Sequence, residues 1–391
     1  MFKISVEIDI KKDARNWWNA CNRISYGVNW KSRINKRLQN KIVGKTRKQA
    51  FKFLIPYLKK LYKRINIEKE KEFAQNFFDQ NKGKLFKRMQ EVTGRRIYRH
   101  NFTFFLTTFP RAPYNEKAGY VWLPVGWKAR HINVFLHELL HFQTLFYYEK
   151  QILERLGREE KEHLKEALTV ILNVEFKDLL AEKDMGYRIH QYLRAELLKF
   201  WRKNRNFRKL ISYGVKIYPK YADTIKYLQF GKYSRGCLVY ILNKVRKIKI
   251  KKQNKEYIEK VIRIIRSEFN PKKHKTYFTN NFRKSRFISV KDIFKKRQAT
   301  CGSLATVVAT LLRISGIPVK LIDGYYKKEG ASKQHAWNEI YFPDYKKFLP
   351  MDITRMNYKI TDNHIKRKEC VDWSELDNPK WDVVEKYKRL K

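Results

Sequence analysis

The pattern of apolar and polar positions is clearest near residue 300. An apolar run, Leu304–Ile314, follows Thr300 and is closed by Gly316 and Pro318. Thr favours the N-cap of a helix, and Gly followed by Pro favours its end. The pattern therefore predicts one buried helix with Cys301 in its first turn. The positive end of a helix stabilises the thiolate form of cysteine, which is the nucleophilic form.

Three strand-like runs follow this helix. Val319–Tyr326 comes first, and His335–Phe342 then alternates with a period of two from its first residue. Lys347–Thr354 returns after a turn and carries Asp352. A thiolate needs a neighbouring imidazole as base and acid, and the imidazole needs a carboxylate to orient it. The helix start and the two later strands offer a thiol, an imidazole and a carboxylate in that order.

The N-terminal half mixes strand-like and helical patterns. Residues 51–65 carry apolar side chains at helical spacing, and Pro56 is predicted to kink or delay that helix. A further helix is predicted over residues 73–89, with a break near Gly83. The strand-like runs are Met1–Ile10, Phe102–Thr107 and Tyr120–Pro124.

Two histidines lie four residues apart in a helical pattern that begins at Ile132. The segment reads His137-Glu138-Leu139-Leu140-His141. Residues four apart share one face of a helix, so both imidazoles can bind one Zn²⁺ while Glu138 acts as general base on the metal-bound water. The neighbouring residues are apolar, so we expect the helix to be buried. Buried polar groups need a metal or a hydrogen-bond network.

Such a zinc site needs a third protein ligand. Glu166 lies within the apolar stretch Leu164–Leu172, which predicts a second helix. Glu175 lies on roughly the opposite face of that helix, so only one of the two can point at the metal. We choose Glu166 as the third ligand, with Glu162 and His163 as alternatives.

Five short segments of the last third share an order and spacing. They are Cys301, Leu311-Leu312-Arg313-x-x-Gly316-Ile317-Pro318, Gly324-Tyr325, His335-Ala336-Trp337 and Asp352-x-Thr354. Together they resemble the transglutaminase-like cysteine peptidase core. The resemblance implies a papain-like α+β fold, with a triad of Cys301, His335 and Asp352 that transfers an acyl group from an amide.

The sequence departs from that family's pattern near the thiol. Ala299 stands where a Gly is often found, and Val319-Lys320 replaces the usual Ala-Arg. No Trp lies between Trp201 and Trp337. The indole that helps to stabilise the oxyanion in the cross-linking enzymes therefore has no counterpart.

A second resemblance covers about residues 100 to 200. The histidine motif, followed by Glu166, is similar to the zincin metallopeptidases of the His-Glu-x-x-His plus Glu type. The resemblance implies His137, His141 and Glu166 as zinc ligands and Glu138 as the catalytic base.

The charge widens the range of functions to consider. The net charge is +50, while 43% of the residues are apolar, so the chain is a folded protein and not a disordered polycation. A large positive charge favours an anionic partner such as nucleic acid, an acidic cell-wall polymer or a membrane surface. The charge is dispersed, however, and Lys, Asn, Ile, Phe and Tyr are all abundant, as a biased coding composition produces. We expect at most weak, non-specific binding to nucleic acid or another anionic polymer.

The cysteines and the N-terminus predict the compartment. The four cysteines show no paired spacing, which is typical of free thiols in a reducing compartment. The first ten residues alternate like a strand and do not resemble a signal peptide. Lys or Arg interrupts every apolar stretch, so no membrane span is predicted. These features predict a cytoplasmic protein.

The sequence therefore predicts an α+β protein of two domains. Residues 1–205 form a zincin-like zinc metallopeptidase domain, residues 206–250 a basic helical connector, and residues 251–391 a transglutaminase-like domain. The predicted activity is hydrolysis of, or acyl transfer from, a peptide or other amide, with the zinc unit as a second or a degenerate peptidase. The alternative is a polycationic protein that binds nucleic acid or another anionic polymer, with one or both sites degenerate.

Overall fold

The chain divides into two compact units. The computed structural model describes residues 2–25, 28–234, 242–243, 245, 248, 254–269, 288–296, 299–328, 331–354 and 359–376. The units are Met1–Tyr221 and Ala222–Lys391. The predicted boundaries at residues 205 and 250 flank this division. The mixture of helices and strands fits the predicted α+β class.

The first unit contains a four-stranded sheet in the order β1-β4-β6-β5. Strands β1 (Lys3–Glu7), β4 (Asn101–Thr107) and β6 (Tyr120–Pro124) run parallel, and the short β5 (Tyr114–Asn115) is antiparallel to β6. Strands β2 (Ile24–Ser25) and β3 (Val28–Asn29) form a separate pair. The predicted strands at Phe102–Thr107 and Tyr120–Pro124 are confirmed.

Helices make up most of the first unit. They are α1 (Ile10–Asn22), α2 (Lys36–Ile42), α3 (Arg47–Ile65), α4 (Ile67–Thr93), α5 (His131–Leu153), α6 (Arg158–Leu168), α7 (Leu172–Glu175), α8 (Gln191–Asn204) and α9 (Phe207–Lys226), and the division between the units falls within α9. Short 3₁₀ turns span Trp30–Arg33, Lys128–Arg130, Thr169–Ile171 and Arg188–His190. None of the helices in the described part of the chain is long and apolar enough to cross a membrane.

The predicted break near Gly83 is wrong, and the predicted delay of a helix at Pro56 is not found. Helix α4 continues through Gly83 without a break. A helical Gly costs only about 1 kcal/mol relative to Ala, and the burial of Phe78, Leu85 and Phe86 on this helix outweighs that cost. Pro56 does not delay α3, because a capping box formed by Thr46 starts the helix well before it.

Helix α5 lies in the core of the first unit. It contacts α4, α6 and the sheet. On one side, the Phe135 ring packs against the rings of Phe78, Phe86 and Phe104 at centroid distances of 5.4 to 5.6 Å. These contacts fix the rotation of the helix about its axis. They leave His137 and His141 to face α6.

The second unit contains an antiparallel sheet in the order β10-β7-β8-β9. Its strands are β7 (Val319–Lys328), β8 (Ala331–Phe342), β9 (Lys347–Met351) and β10 (His364–Cys370). Its helices are α10 (Lys255–Glu268), α11 (Val290–Lys296) and α12 (Cys301–Ile314), and a 3₁₀ turn spans Trp373–Leu376. Helix α12 packs on α10, α11, β7 and β8. The predicted buried helix with Cys301 in its first turn is confirmed.

The ends of two predicted strands differ from the structure. Strand β8 begins at Ala331, so His335 lies inside the strand rather than at its start, because the β7–β8 ladder continues to the pair Lys328 and Ala331. Strand β9 ends at Met351, so Asp352 follows the strand instead of lying in it. The Asp352 carboxylate accepts the Thr354 backbone N–H at 3.0 Å. Such local bonds compete with the ladder and end strands.

Candidate functional sites

The Cys301 thiol lies at the amino terminus of α12. The N-cap Thr300 accepts the Ser303 N–H at 3.4 Å, and its own N–H donates to the Ser303 hydroxyl at 2.6 Å. This capping box explains why the helix begins here. Cys301 is half-buried, whereas almost all of the helix behind it is buried.

Two buried side chains fix the first turns of α12. The Trp373 indole N–H donates to the Gly302 carbonyl at 3.3 Å and to the Thr306 hydroxyl at 2.8 Å. The Asn338 side chain, on β8, donates to the Ala305 carbonyl at 3.1 Å. The helix that carries the thiol is therefore tied to the strand that carries His335.

His335 connects the thiol with a carboxylate. Its Nε2 atom lies 2.7 Å from Oδ2 of Asp352, and its ring is hydrogen-bonded to the Cys301 side chain. Burial lowers the pKa of His335, but the hydrogen bonds with Asp352 and Cys301 outweigh it and raise the pKa to about 9. The structure therefore brings the three residues of the predicted triad together.

Asp352 accepts hydrogen bonds on both carboxylate oxygens. Oδ1 accepts the Thr354 N–H at 3.0 Å and the Thr354 hydroxyl at 2.6 Å. Oδ2 lies near the Nε2 atoms of two imidazoles, His335 at 2.7 Å and His364 at 3.2 Å. Burial alone would raise the pKa of Asp352, but these bonds lower it to about 2. Sequence reasoning did not identify His364, which has no motif around it.

Gly324 allows a close approach beside the triad. It lies opposite His335 in the β7–β8 ladder. A Cβ atom at this position would lie 2.2 Å from the Ile365 carbonyl oxygen and 2.5 Å from the Trp337 ring. The indole in turn stacks on His335 at a centroid distance of 6.0 Å. Gly324 thus lets the indole reach the imidazole.

The other described cysteines lack such surroundings. Cys21 and Cys370 are buried. Burial raises the pKa of Cys21 to about 11 and also raises the pKa of Cys370. Cys237 lies outside the described residues.

A second cluster lies in the first unit, between α5 and α6. His137 and His141 have their ring centroids 4.4 Å apart. Oε2 of Glu166 lies 3.4 Å from Nε2 of His137 and 3.3 Å from Nε2 of His141. One ligand atom from each residue lies within 4.8 Å of the others, so one metal ion could contact all three.

Several atoms of this cluster fit a metal site. In the described structure both ring nitrogens of His141 and Oε2 of Glu166 are buried without a hydrogen-bond partner, as is Oε2 of Glu138. Buried polar atoms without a partner are costly, and a bound ion is one way to satisfy them. Burial lowers the pKa of His141 to about 3, which keeps its imidazole neutral. Two imidazoles and one carboxylate are a ligand set that Zn²⁺ prefers, so the residues fit this metal.

Asp184 orients the first histidine. Its Oδ2 lies 2.6 Å from Nδ1 of His137, and its Oδ1 accepts Arg194 at 2.8 Å and the Thr169 hydroxyl at 3.1 Å. Burial would raise the pKa of Asp184, but His137 and Arg194 lower it to about 2. A carboxylate on one ring nitrogen leaves the other free to bind a metal. Asp184 was missed in the sequence, because it lies in an irregular segment with no periodic relation to the motif.

The alternative third ligands have other partners. Glu162 pairs with two lysines at 2.9 and 3.1 Å, and His163 lies 2.9 Å from a second buried imidazole. Glu175 accepts the Trp201 indole N–H at 2.7 Å. Of the four candidates, Glu166 is the one that faces both imidazoles of the motif.

A cavity of about 520 Å³ opens onto this cluster. His137, Glu138 and Glu166 lie on its wall, together with the aromatic side chains of Trp30 and Trp127. Its size suits a short peptide segment or a small molecule. The structure thus brings His137, Glu138 and Glu166 to one cavity, with His141 buried beside them.

Comparisons with known proteins bear on the second unit. No curated protein matches the chain. Among solved structures, a candidate cysteine protease from Cytophaga hutchinsonii is similar, with 19% identity and a TM-score of 0.30. The match covers 38% of this chain and 47% of that one, so this chain spans about half the length of that protein. Residues 244–353 match the model of the Transglutaminase-like superfamily. The stretch that carries Cys301, His335 and Asp352 is therefore a transglutaminase-like domain.

Proposed function

We propose that the unit Ala222–Lys391 is an amide hydrolase or acyl transferase of the cysteine peptidase type. One observation carries this proposal. His335 is hydrogen-bonded to the Cys301 thiol and lies 2.7 Å from the Asp352 carboxylate. The superfamily match over residues 244–353 supports it. The substrate class is a peptide or another amide.

The proposed reaction uses the three side chains in sequence. Sγ of Cys301 attacks the amide carbonyl carbon while His335 holds the thiol proton, which it then gives to the departing amine. The acyl group, now a thioester on Cys301, passes to water in hydrolysis or to another amine in transfer. The positive end of α12 favours the negative oxygen that develops at each attack. Asp352 orients His335 and stabilises its charged form.

The first test is the reactivity of the thiols. Iodoacetamide at mildly acidic pH should label Cys301 before Cys21 and Cys370, because burial raises the pKa of those two thiols. Replacing His335 by Ala should slow this labelling by at least about tenfold, which corresponds to one pKa unit. Asp352→Ala should slow it less, because Asp352 orients the base and does not itself take the proton.

A matched control is available for this test. His100 is an exposed histidine of the first unit, and His100→Ala should leave the labelling rate unchanged. Equal labelling of the cysteines, with no dependence on His335, would contradict the proposal. If Cys301 is instead labelled first, loss of amide turnover in Cys301→Ala would link this thiol to the reaction.

For the first unit we propose a zincin-like, zinc-dependent hydrolase. The supporting observation is that His137, His141 and Glu166 converge with buried atoms that lack hydrogen-bond partners. Bound Zn²⁺ would supply a Lewis acid and a water of lowered pKa. Asp184 holds His137 through Nδ1 and so directs its Nε2 towards the other ligands. Glu138, buried in the cavity wall, is the residue of this site that can take up a proton at Oε2.

The zinc proposal predicts a defined metal content. We expect about one Zn²⁺ per chain in the purified protein, measured by elemental analysis, because the three ligands form a single site. The double variant His137→Ala, His141→Ala should lose the metal, and Glu138→Gln should keep it while losing hydrolysis. Glu166→Gln should weaken binding, and the matched variant Glu175→Gln should not. Retention of zinc by the double variant would exclude the site.

A further inference from the structure

His364 lies on the same carboxylate oxygen as His335. It is the first residue of β10, and its Nε2 atom is 3.2 Å from Oδ2 of Asp352. Its side chain has no exposed surface. It also lies beyond the superfamily match, which ends at residue 353. Two imidazoles therefore converge on one oxygen of the proposed triad.

The Asp352 carboxylate determines the role of Nε2 of His364. An ionised carboxylate can only accept hydrogen bonds, so the Nε2–H group of His364 donates to Oδ2 of Asp352. Nδ1 of His364 lies at Thr361, 3.1 Å from its backbone nitrogen, 3.2 Å from its hydroxyl oxygen and 3.3 Å from its carbonyl oxygen.

The contacts around Asp352 are those of hydrogen bonds. Ligand atoms of His335, Asp352 and His364 lie within 4.8 Å of one another, which a cation could also bridge. The two Nε2–Oδ2 distances, 2.7 and 3.2 Å, are ordinary hydrogen-bond lengths, so these contacts need no ion to explain them.

We infer that His364 is a positioning residue that holds the Asp352 carboxylate in the orientation that His335 requires. Thr354 holds Oδ1, and His364 holds Oδ2, the oxygen that His335 also contacts. The Tyr326 ring packs on both imidazoles, 5.0 Å from His364 and 6.1 Å from His335. This inference rests on the proposed function of Cys301, because it concerns the same triad.

Removing the donor on His364 should weaken the triad in a measurable way. Without it, Oδ2 has His335 as its one remaining imidazole partner, and the carboxylate is held by Thr354 alone on its other side. A less fixed carboxylate stabilises the charged form of His335 less, and His335 in turn stabilises the Cys301 thiolate less. Thiol labelling should then need a higher pH.

Two amide variants separate this role from packing. Gln at position 364 places an amide N–H₂ near the position of Nε2 and can still donate to Asp352, whereas the shorter Asn cannot reach it. The iodoacetamide labelling rate of Cys301 is measured against pH in the full chain. For His364→Asn we expect the acid limb of the Cys301 labelling profile to shift to higher pH by about one unit. At a fixed acidic pH, labelling would therefore be about tenfold slower. His364→Gln should follow the wild-type profile.

The controls distinguish failure of this inference from failure of the proposed function. If wild-type Cys301 is not labelled rapidly, or if His335→Ala has no effect, the proposed function itself fails. If Cys301 labelling depends on His335 but the Asn and Gln variants share one profile, only the role of His364 is overturned. Cys370, buried in β10, reports folding of this unit. Its labelling in the Gln variant would show that His364 is needed for packing alone.

Discussion

His131, in the first turn of α5, is buried without a polar partner. In the described structure neither ring nitrogen has a hydrogen bond. The rings of Phe73, Phe77 and Phe78 surround it at centroid distances of 6.0 to 6.3 Å. Burial lowers the pKa of His131 to about 4, with the nearby Glu70 opposing this shift. The folded protein therefore keeps this ring neutral at pH values where the unfolded chain has already bound a proton.

Replacing His131 by Leu should stabilise the protein in acid. In the unfolded chain the histidine binds its proton near pH 6.5. The loss of folding stability caused by His131 therefore grows as pH falls from about 6.5 to 4. The full shift corresponds to on the order of 3 kcal/mol at pH 4. Thermal unfolding of the wild type and His131→Leu across this range should diverge as pH falls.

The exposed His100 provides the comparison for this substitution. His100→Leu removes an exposed histidine by the same substitution and is measured in parallel as the matched control. Parallel curves for wild type and His131→Leu would mean that His131 is protonated in the folded protein.

The sequence could predict some site residues and not others, for physical reasons. Two histidines four residues apart must share a helix face, so His137 and His141 follow from the motif wherever the helix packs. Glu166 follows from its place in an apolar helical run. Asp184 and His364 could not be predicted in this way, because one lies in an irregular segment and the other opens a strand after an unpatterned loop. Their contacts depend on tertiary packing alone.

The start of α12 determines where the Cys301 thiol lies. Thr300 caps the helix through its hydroxyl, and Cys301 is the next residue. Losing an N-cap hydroxyl typically costs about 1 kcal/mol, and the first turn frays most easily. The geometry of the thiol therefore depends on this cap.

Replacing Thr300 should affect both stability and thiol reactivity. We expect Thr300→Ala to lower the free energy of unfolding of the second unit by about 1 kcal/mol and to slow Cys301 labelling. Thr300→Ser keeps the hydroxyl and should behave like the wild type in chemical denaturation and in labelling. Identical behaviour of the Ala and Ser variants would mean that the cap does not order the thiol.

At the scale of elements, periodicity predicts where helices and strands lie better than where they end. The buried helix α12 and the strands that follow it were predicted because long apolar runs dominate local preferences. The end of β9 at Met351 was not predicted, because it depends on side-chain bonds between Thr354 and Asp352. The continuity of α4 through Gly83 depends on buried contacts elsewhere on the helix.

The division of the whole molecule into two units was predicted only approximately. The predicted boundary lies at residue 205, but α9 begins at Phe207 and the division falls after Tyr221. A rise in the fraction of basic residues indicates exposure to solvent. The exposed face of a helix can be as rich in basic residues as a linker, so composition alone does not separate the two. The two candidate sites nevertheless lie in different units. The cluster of His137, His141 and Glu166 lies in Met1–Tyr221, and the triad lies in Ala222–Lys391.

The net charge is a property of the whole molecule and bears on the alternative function. The chain has 88 basic and 38 acidic residues, so its cations outnumber its carboxylates by more than two to one. Many of the described pairs are exposed and join neighbouring turns of one helix, such as Lys260 with Glu256 at 2.9 Å. Pairs of this kind contribute little to stability. The excess charge is therefore available to attract anionic polymers.

We expect this attraction to be weak and strongly dependent on salt. Binding to phosphates is driven by release of counterions, and a protein with 6–10 phosphate contacts loses roughly 10³–10⁵-fold in affinity between 50 and 200 mM salt. Fluorescence anisotropy with a labelled DNA duplex should show sequence-independent binding at low salt that largely disappears near physiological salt. Heparin should compete with equal effect, since a dispersed charge does not distinguish between polyanions. Cys301→Ala should bind as the wild type does, because the thiol contributes no charge contact. Tight binding to one nucleic acid at physiological salt would instead favour the alternative, in which the cationic surface carries the function and the candidate active sites are degenerate.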